Sequence, residues 1–386
     1  MKVLKNKFVI LVACCSIFAQ QANPNLSREI TFPNLDNYLT IIGDFHSHSV
    51  FSDGSVWPDI RIEEAIKDGL DIFAVTEHLE RQVNKNDIPH PDRNRSFDLA
   101  KQFYQKKDLS VFRMWELYNQ PFNPKELIII NGAEISREFP YGHNNAIFLK
   151  DANKLNTFNV SDAFEAAMSQ EAFIFWNHSW RGQKPSATVS LTEFHKDLIS
   201  KGYLHGIEIV NKDNFSEDAL RIALDYNLTI MANSDIHGII DWTYNLKEGG
   251  HRPVTIIFSN QKNEKSIKEA LFNRQTVVWH NNTLVGRNEW LLPLIEKSIL
   301  IDSISLSEKG GVVNVFLSNK SDTKFILKNI SKFDFFNDSN IVEIQPQGSA
   351  KVSIITRGEE KIDLQFEVLN AIYAPRMHPI LEMKVR

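Results

Sequence analysis

Leu39-Thr40-Ile41-Ile42-Gly43-Asp44-Phe45-His46-Ser47-His48 joins a short apolar run to two histidines separated by one residue. Leu39 to Ile42 has the length and bulk of a buried strand. In an extended chain, residues two apart project from the same side, so His46 and His48 form a two-toothed grip for a metal ion. One such pair means little in a chain with 12 His among 386 residues. Recurrence at one structural place gives it meaning. His78 follows the run Ile72 to Val75, Glu134 follows Leu127 to Ile130, His178 follows Ala172 to Trp176, and Asp235 with His237 follows Leu228 to Ala232. Asp53, in Ser52-Asp53-Gly54, sits in the loop after the first strand, and His143 precedes the short run Ala146 to Leu149. His90, His195, His205, His251, His280 and His378 have no such placement and read as surface or core side chains.

Two further runs, Gly206 to Val210 and Val254 to Phe258, also have strand character. Helix-like stretches lie between the runs. Pro58 opens one, with Ile62, Ala65 and Ile66 on one face and Gly69 after it, and Ser161 and Ser216 read as N-caps of two others. Repeated strand–helix alternation over residues 36–298 predicts parallel pairing with helices outside, and seven or eight such units favour a closed α/β barrel. The carboxyl ends of barrel strands share one face, which would gather the scattered donors. An insertion, Arg81 to Lys125, interrupts the pattern; its Tyr104, Trp115 and Tyr118 suggest a helical cover over a cleft. In residues 300–386 the rhythm changes to period two, as in Ile362, Leu364, Phe366 and Val368, which predicts a small C-terminal antiparallel β-sandwich without chemistry of its own.

Composition narrows the function. A net charge of −5 without long basic runs offers no nucleic-acid surface. The only two cysteines, Cys14 and Cys15, cannot build a thiolate metal site in the body of the chain, so imidazoles and carboxylates must hold any metal. Both lie in a leader: Lys2, Lys5 and Lys7 precede the apolar run Phe8 to Ala13, with a plausible cut after Ala19. Residues 1–19 therefore read as a signal peptide that sends the chain to the periplasm or exterior. The competing reading is a lipoprotein box, Leu11-Val12-Ala13-Cys14, leaving a lipid anchor on Cys14. The leader is too short for a transmembrane helix.

His46, His48, Asp53, His78, Glu134, His143, His178, Asp235 and His237 make nine candidate ligands. That is too many for one ion and suits two or three divalent ions, Zn, Mn or Fe, sharing a bridging carboxylate. Such a di- or trinuclear site generates a hydroxide at neutral pH and clamps phosphate oxygens, the logic of a phosphodiesterase or phosphatase acting on a small phosphorylated substrate. Asp235 or a site histidine such as His237 could orient the water. Arg81, Arg137 and Arg181 each lie three residues after a candidate ligand, where they could grip the substrate phosphate, and Arg252 is a weaker candidate.

His46-x-His48, Ser52-Asp53-Gly54, Thr76-Glu77-His78, Gly132-Ala133-Glu134, His178 and Ser234-Asp235-Ile236-His237 together resemble the ordered motif set of the PHP-domain metallohydrolases, over about residues 40–290. The resemblance implies a distorted seven-stranded (β/α) barrel with up to three metal ions. It assigns His46, His48, Glu134 and Asp235 to the first, Glu134, His143 and His178 to the second, and Asp53, His78 and His237 to the third. Two departures stand out: Asp53 occupies a position often held by His, and Glu77-His78 replaces a common Asp-His pair, changes that would soften binding at that ion or alter its metal preference. The leader, the insertion and the C-terminal module also resemble the secreted phosphodiesterases of the Sb-PDE group. Two rival readings stay open on sequence: an amidohydrolase on a related barrel, and a non-catalytic envelope binding protein.

Overall fold

The structure, a computed structural model, describes residues 29–107, 109, 125–180, 189–245, 249–307, 311–336 and 339–385. The leader with Cys14, Trp115 and Tyr118 of the insertion, and Arg181 lie outside the described residues.

Seven strands ring the barrel. β1 (Leu39–Asp44), β2 (Ile72–Val75) and β3 (Ile128–Ser136) pair in parallel. β4 (His143–Ile147) then runs antiparallel to both β3 and β5 (Phe173–Trp176), after which β5, β6 (Gly206–Asn211) and β8 (Thr229–Asn233) are parallel again. Between β6 and β8 the two-residue strand β7 (Asn214–Phe215) folds back on β6. The uniformly parallel sheet that alternation predicts is thus broken at β4. Only residues 137–142 separate β3 from β4, far short of the dozen that a parallel crossover needs. β3 is also longer than the run Leu127 to Ile130. Asn131-Gly132 looks like a turn in sequence, but pairing with β2 and β4 carries the strand through it to Ser136.

Closure of the ring is unusual. Both edges of β1 are taken, one by β2 and the other by antiparallel β9 (Val254–Ser259), so β8 has no free ladder to join. Side chains make the seam instead. Ala232 N donates to Thr255 Oγ1 at 3.0 Å and Thr255 Oγ1 donates to Ala232 O at 2.9 Å; Phe45 N donates to Asn233 Oδ1 at 2.8 Å. Beyond β8, backbone bonds from His48 N to Ile236 O at 3.0 Å and from Ser55 N to His237 O at 2.8 Å tie the two ends. Gly43 is required at the end of β1, because a Cβ there would stand 2.6 Å from the Phe45 ring.

Helices cover the outside. α1 (Pro58–Lys67) buries Ile62, Ala65 and Ile66, the face its sequence predicts, and Gly69 just beyond it has φ +65°. Ser216 caps the helix Glu217–Asp225 by accepting from Ala219 N, as read from sequence; Ser161 does not cap the preceding helix, which begins at Val160 after Asn159. Within the insertion a helix spans Arg95–Gln105, and Ser96 is buried against Glu77.

β9 continues into a hairpin that the sequence reading passed over, β10 (Thr276–His280) and β11 (Thr283–Gly286), joined by Asn281-Asn282 with both residues at positive φ. The helix Asn288–Ser298 then passes directly into β12 (Ile299–Leu306). β12 pairs with β13 (Val312–Asn319) and β13 with β16 (Ser349–Ile355). The facing sheet orders β15 (Ile341–Ile344), β14 (Phe325–Asn329), β17 (Asp363–Val368) and β19 (Ile380–Lys384). This antiparallel sandwich is welded to the barrel. β18 (Ala371–Ile372), from its last third, pairs in parallel with β11, and one buried apolar cluster runs from Phe73 and Phe258 through Leu291 to Phe325 and Leu364.

Candidate metal centre

All nine candidate ligands reach one rim of the ring. His46 and His48 extend the line of β1, His78 that of β2, His178 that of β5, and Asp235 and His237 that of β8. Glu134 projects from within the prolonged β3. His143 reaches the same rim because β4 is reversed: the first residue of an antiparallel strand lies level with the last residues of its neighbours, and His143 pairs with Ser136. Two of these residues have strained backbones, His178 at φ +25° and Asp235 at φ +45°.

His46 Nε2, His48 Nε2, Glu134 Oε2 and Asp235 Oδ1 form the tightest group. His46 Nε2 lies 3.1 Å from His48 Nε2, 3.3 Å from Glu134 Oε2 and 3.3 Å from Asp235 Oδ1; His48 Nε2 lies 3.3 Å from Glu134 Oε2 and 3.1 Å from Asp235 Oδ1. Donors placed tetrahedrally around an ion at about 2.0 Å are about 3.3 Å apart. His46, His48 and Glu134 therefore fit one ion, and Asp235 Oδ1 stands beside the same two imidazoles. The other oxygen, Glu134 Oε1, lies 2.7 Å from His143 Nδ1 and 3.6 Å from His178 Nε2, so this carboxylate reaches two groups of donors. A third group centres on Asp53 Oδ1, which is 3.0 Å from His237 Nε2, 3.3 Å from His78 Nε2 and 3.9 Å from His48 Nδ1. None of these contacts has hydrogen-bond geometry, leaving Asp53 Oδ1 a buried oxygen without a donor among the described residues. An unsatisfied buried carboxylate oxygen facing imidazole nitrogens fits a cation between them.

The electrostatics agree. Burial pushes His46 down, yet Asp235, Glu208 and Glu134 outweigh it and hold the imidazole well above its ordinary range. His78 is likewise lowered by burial but raised overall to about 10 by Glu134 and Asp53. Burial pushes Glu134 up, and His78 and His46 bring it well below the usual carboxylate range; His46 and His48 do the same for buried Asp235. Anions this strongly committed to cations are ready for metal, which takes the place of the protons.

Several supporting residues escaped the sequence reading. Glu208, fully buried on β6, lies 2.8 Å from His46 Nδ1 and accepts from His178 N at 2.9 Å, from Asn233 at 3.0 Å and from Asn211 at 2.9 Å. By accepting from Nδ1–H, Glu208 keeps the ring proton on Nδ1 and turns Nε2 into the cluster as the ligating atom. The signal was present: Gly206-Ile207-Glu208-Ile209-Val210 places an acid inside an apolar strand. Glu208→Gln is expected to keep the fold and weaken metal binding by about 10- to 100-fold in chelator competition, and an unchanged affinity would remove this orienting role. Arg61 on α1 donates to His48 O at 2.7 Å and His237 O at 2.8 Å, clamping two ligand loops together. Glu77 points away from the ligands and accepts from Ser49, Ser52 and Ser96. It shapes the loop that carries Asp53.

The arginines divide. Arg81, half exposed, has Nη1 3.3 Å from Asp53 Oδ2 at the edge of the third group. Arg137 lines a cleft of about 250 Å³ with Phe139, His143, Trp176, His178 and His195, but its guanidinium is engaged by Glu80 at 2.9 Å and Thr157 O at 2.7 Å. Arg252 cannot touch a substrate: it is fully buried and paired with Asp68 at 2.6 Å and Asp44 at 3.0 Å. It braces the barrel beneath the site. His195, read as a plain surface or core residue, is buried, stacks on Trp176 with ring centres 3.9 Å apart and lines the cleft; burial pushes it down to about 3, so it is neutral.

An Ig-like domain model matches residues 299–384, the C-terminal sandwich. Among solved structures, the chain is similar to a two-domain protein from Bacteroides vulgatus containing a predicted PHP-like metal-dependent phosphoesterase, at 36% identity over 93% of this chain and 99% of that one, with a TM-score of 0.83. PsfC from Pseudomonas syringae matches at 16% identity over 63% of this chain and 92% of that chain, with a TM-score of 0.38. No curated protein matches. The 36% identity to the Bacteroides protein, sustained over both modules, shows that this chain belongs to the PHP-like metal-dependent phosphoesterases.

Proposed function

We propose that this chain hydrolyses phosphate esters, with phosphodiesters or small organophosphates as its substrates, and that His46, His48, Asp53, His78, Glu134, His143, His178, Asp235 and His237 hold two or three divalent ions. The observation that carries the reading is the gathering of His46, His48 and Glu134 within reach of one ion, with Asp235 Oδ1 beside the two imidazoles and Glu134 Oε1 left to reach a second group. Divalent ions bound there would lower the pKa of a water toward neutrality and neutralise phosphate oxygens. Zn, Mn and Fe all suit imidazole and carboxylate donors.

The chain's own residues do the rest. Glu208 fixes the His46 tautomer, and Glu134 presents a separate oxygen to each of two donor groups. We assign the orienting of the attacking water to Asp235. His237, whose side chain is 30% exposed at the lip of the site, serves as a ligand beside Asp53. Arg81 reaches over the third group as a cation for the phosphate. The cleft beside His143 and His178, walled by Phe139 and Trp176, gives the leaving group room. The Lys2 to Ala19 leader supports export to the periplasm or exterior.

Chelated protein reconstituted with Zn, Mn or Fe would be analysed for metal and offered bis-p-nitrophenyl phosphate, p-nitrophenyl phosphate and a p-nitroanilide. We expect two or three equivalents of metal and cleavage of phosphate esters. Cleavage of the anilide alone would overturn the reading in favour of an amidohydrolase.

A further inference from the structure

Lys212 has no part in the ligand set, yet its Nζ lies 3.3 Å from Asp235 Oδ2, the oxygen opposite the one turned into the His46–His48 pair. The side chain is 43% exposed, so the ammonium stands at the mouth of the site. The backbone holds it there against local preference. Asn211 pairs with Asn214, which leaves Lys212 and Asp213 as a two-residue hairpin turn, and Lys212 takes its first position at φ +54°. Glycine or asparagine is the ordinary occupant of such a position. The comparable two-residue turn of the β10–β11 hairpin is built of Asn281 and Asn282, both at positive φ. The turn itself is pinned beside the site, because Lys212 N donates to Asn233 O at 3.2 Å, two residues before Asp235.

A half-exposed lysine paired with a carboxylate adds little stability, so the pair alone does not account for a lysine at a glycine position. Other cations near the ligands are committed elsewhere: Arg61 to backbone carbonyls, Arg252 to buried acids and Arg137 to Glu80 and Thr157. Arg81 stands over Asp53, and Lys212 over Asp235.

We infer that Lys212 is a substrate-contacting cation that takes a non-bridging phosphate oxygen on the Asp235 side of the site. This rests on the phosphoesterase reading above. A flexible stem carrying a compact charge suits an oxygen whose position shifts as the ester reacts. Removing one charge-assisted hydrogen bond of this kind weakens binding by about 10- to 100-fold.

The test uses full-length, metal-loaded protein and the variants Lys212→Gly, Lys212→Gln and Lys212→Arg. Inorganic phosphate is titrated by calorimetry, and kcat/KM is measured on both nitrophenyl phosphates. Lys212→Gly and Lys212→Gln are expected to bind phosphate about 10- to 100-fold more weakly and to lose a similar factor in kcat/KM, with metal content unchanged. Lys212→Arg should retain most of both. Lys212→Gly should also melt about 1–2 °C higher, because the turn is relieved of strain, so a lost affinity could not be blamed on misfolding. Undiminished phosphate affinity in Lys212→Gly would overturn the inference even if the wild type cleaves esters. A wild type that cleaves neither ester while Lys212→Gly still loses phosphate would keep the anion contact and sink the phosphoesterase reading instead.

Discussion

Glu134→Gln should lower kcat/KM by about 10³-fold or more and reduce the bound metal. The substitution preserves shape, so the fully buried position stays filled, but a neutral amide cannot offer two anionic oxygens to two donor groups. A second readout follows from the metal-free protein. His78 has its pKa raised to about 10 in the folded state, and His46 is also raised. A raised histidine contributes stability that is fully present below its unfolded pKa, about 6.5, and lost as pH rises through the folded value. The depressed Glu134 contributes stability that is present above the ordinary carboxylate range and lost as pH falls. The metal-free wild type should therefore be most stable between about pH 4.5 and 6.5 and should lose melting temperature steadily toward pH 10. In Glu134→Gln that alkaline decline should be shallower, because the carboxylate that raises both imidazoles is gone. Equal slopes in the two proteins would show that Glu134 does not hold the protons, and full activity in the variant would remove it from the metal centre.

Ending the chain at Ser298 should abolish cooperative folding of the barrel as well as removing the sandwich. Two features demand this. β11 would lose β18, its partner along Leu284 and Val285, and the apolar cluster around Phe258, Trp279 and Leu291 would lose Val315, Phe325 and Leu364. A large apolar face exposed to water makes a soluble monomer aggregate. Near-ultraviolet circular dichroism and a thermal melt of the truncated chain would decide the matter. A sharp melt with bound metal would mean that the barrel stands alone and that the shared core is incidental.

Much of this molecule was legible in sequence because strand length, apolar bulk and helix caps are local signals. The gathering of the candidate ligands was readable for the same reason, since most of them follow an apolar run. His143 was the exception, and the reversal of β4 that brings it in depends on how few residues join it to β3, a matter of loop length rather than residue type. Glu208 and Arg61 were missed because their work is done through partners far along the chain: His46 lies 162 residues from Glu208, and His237 lies 176 from Arg61. The β10–β11 hairpin carried a recognisable Asn281-Asn282 turn. By contrast, nothing local in Ala371-Ile372 announces that it will leave the sandwich for the barrel sheet.

The threonine-made seam between β8 and its neighbours gives the metal centre a mechanical meaning. His46 and His48 stand on one side of that joint and Asp235 on the other, so an ion held by all three would rivet together two strands that share no ladder. Occupancy would then govern how far the barrel breathes, and cofactor loss would loosen the wall as well as silence the chemistry.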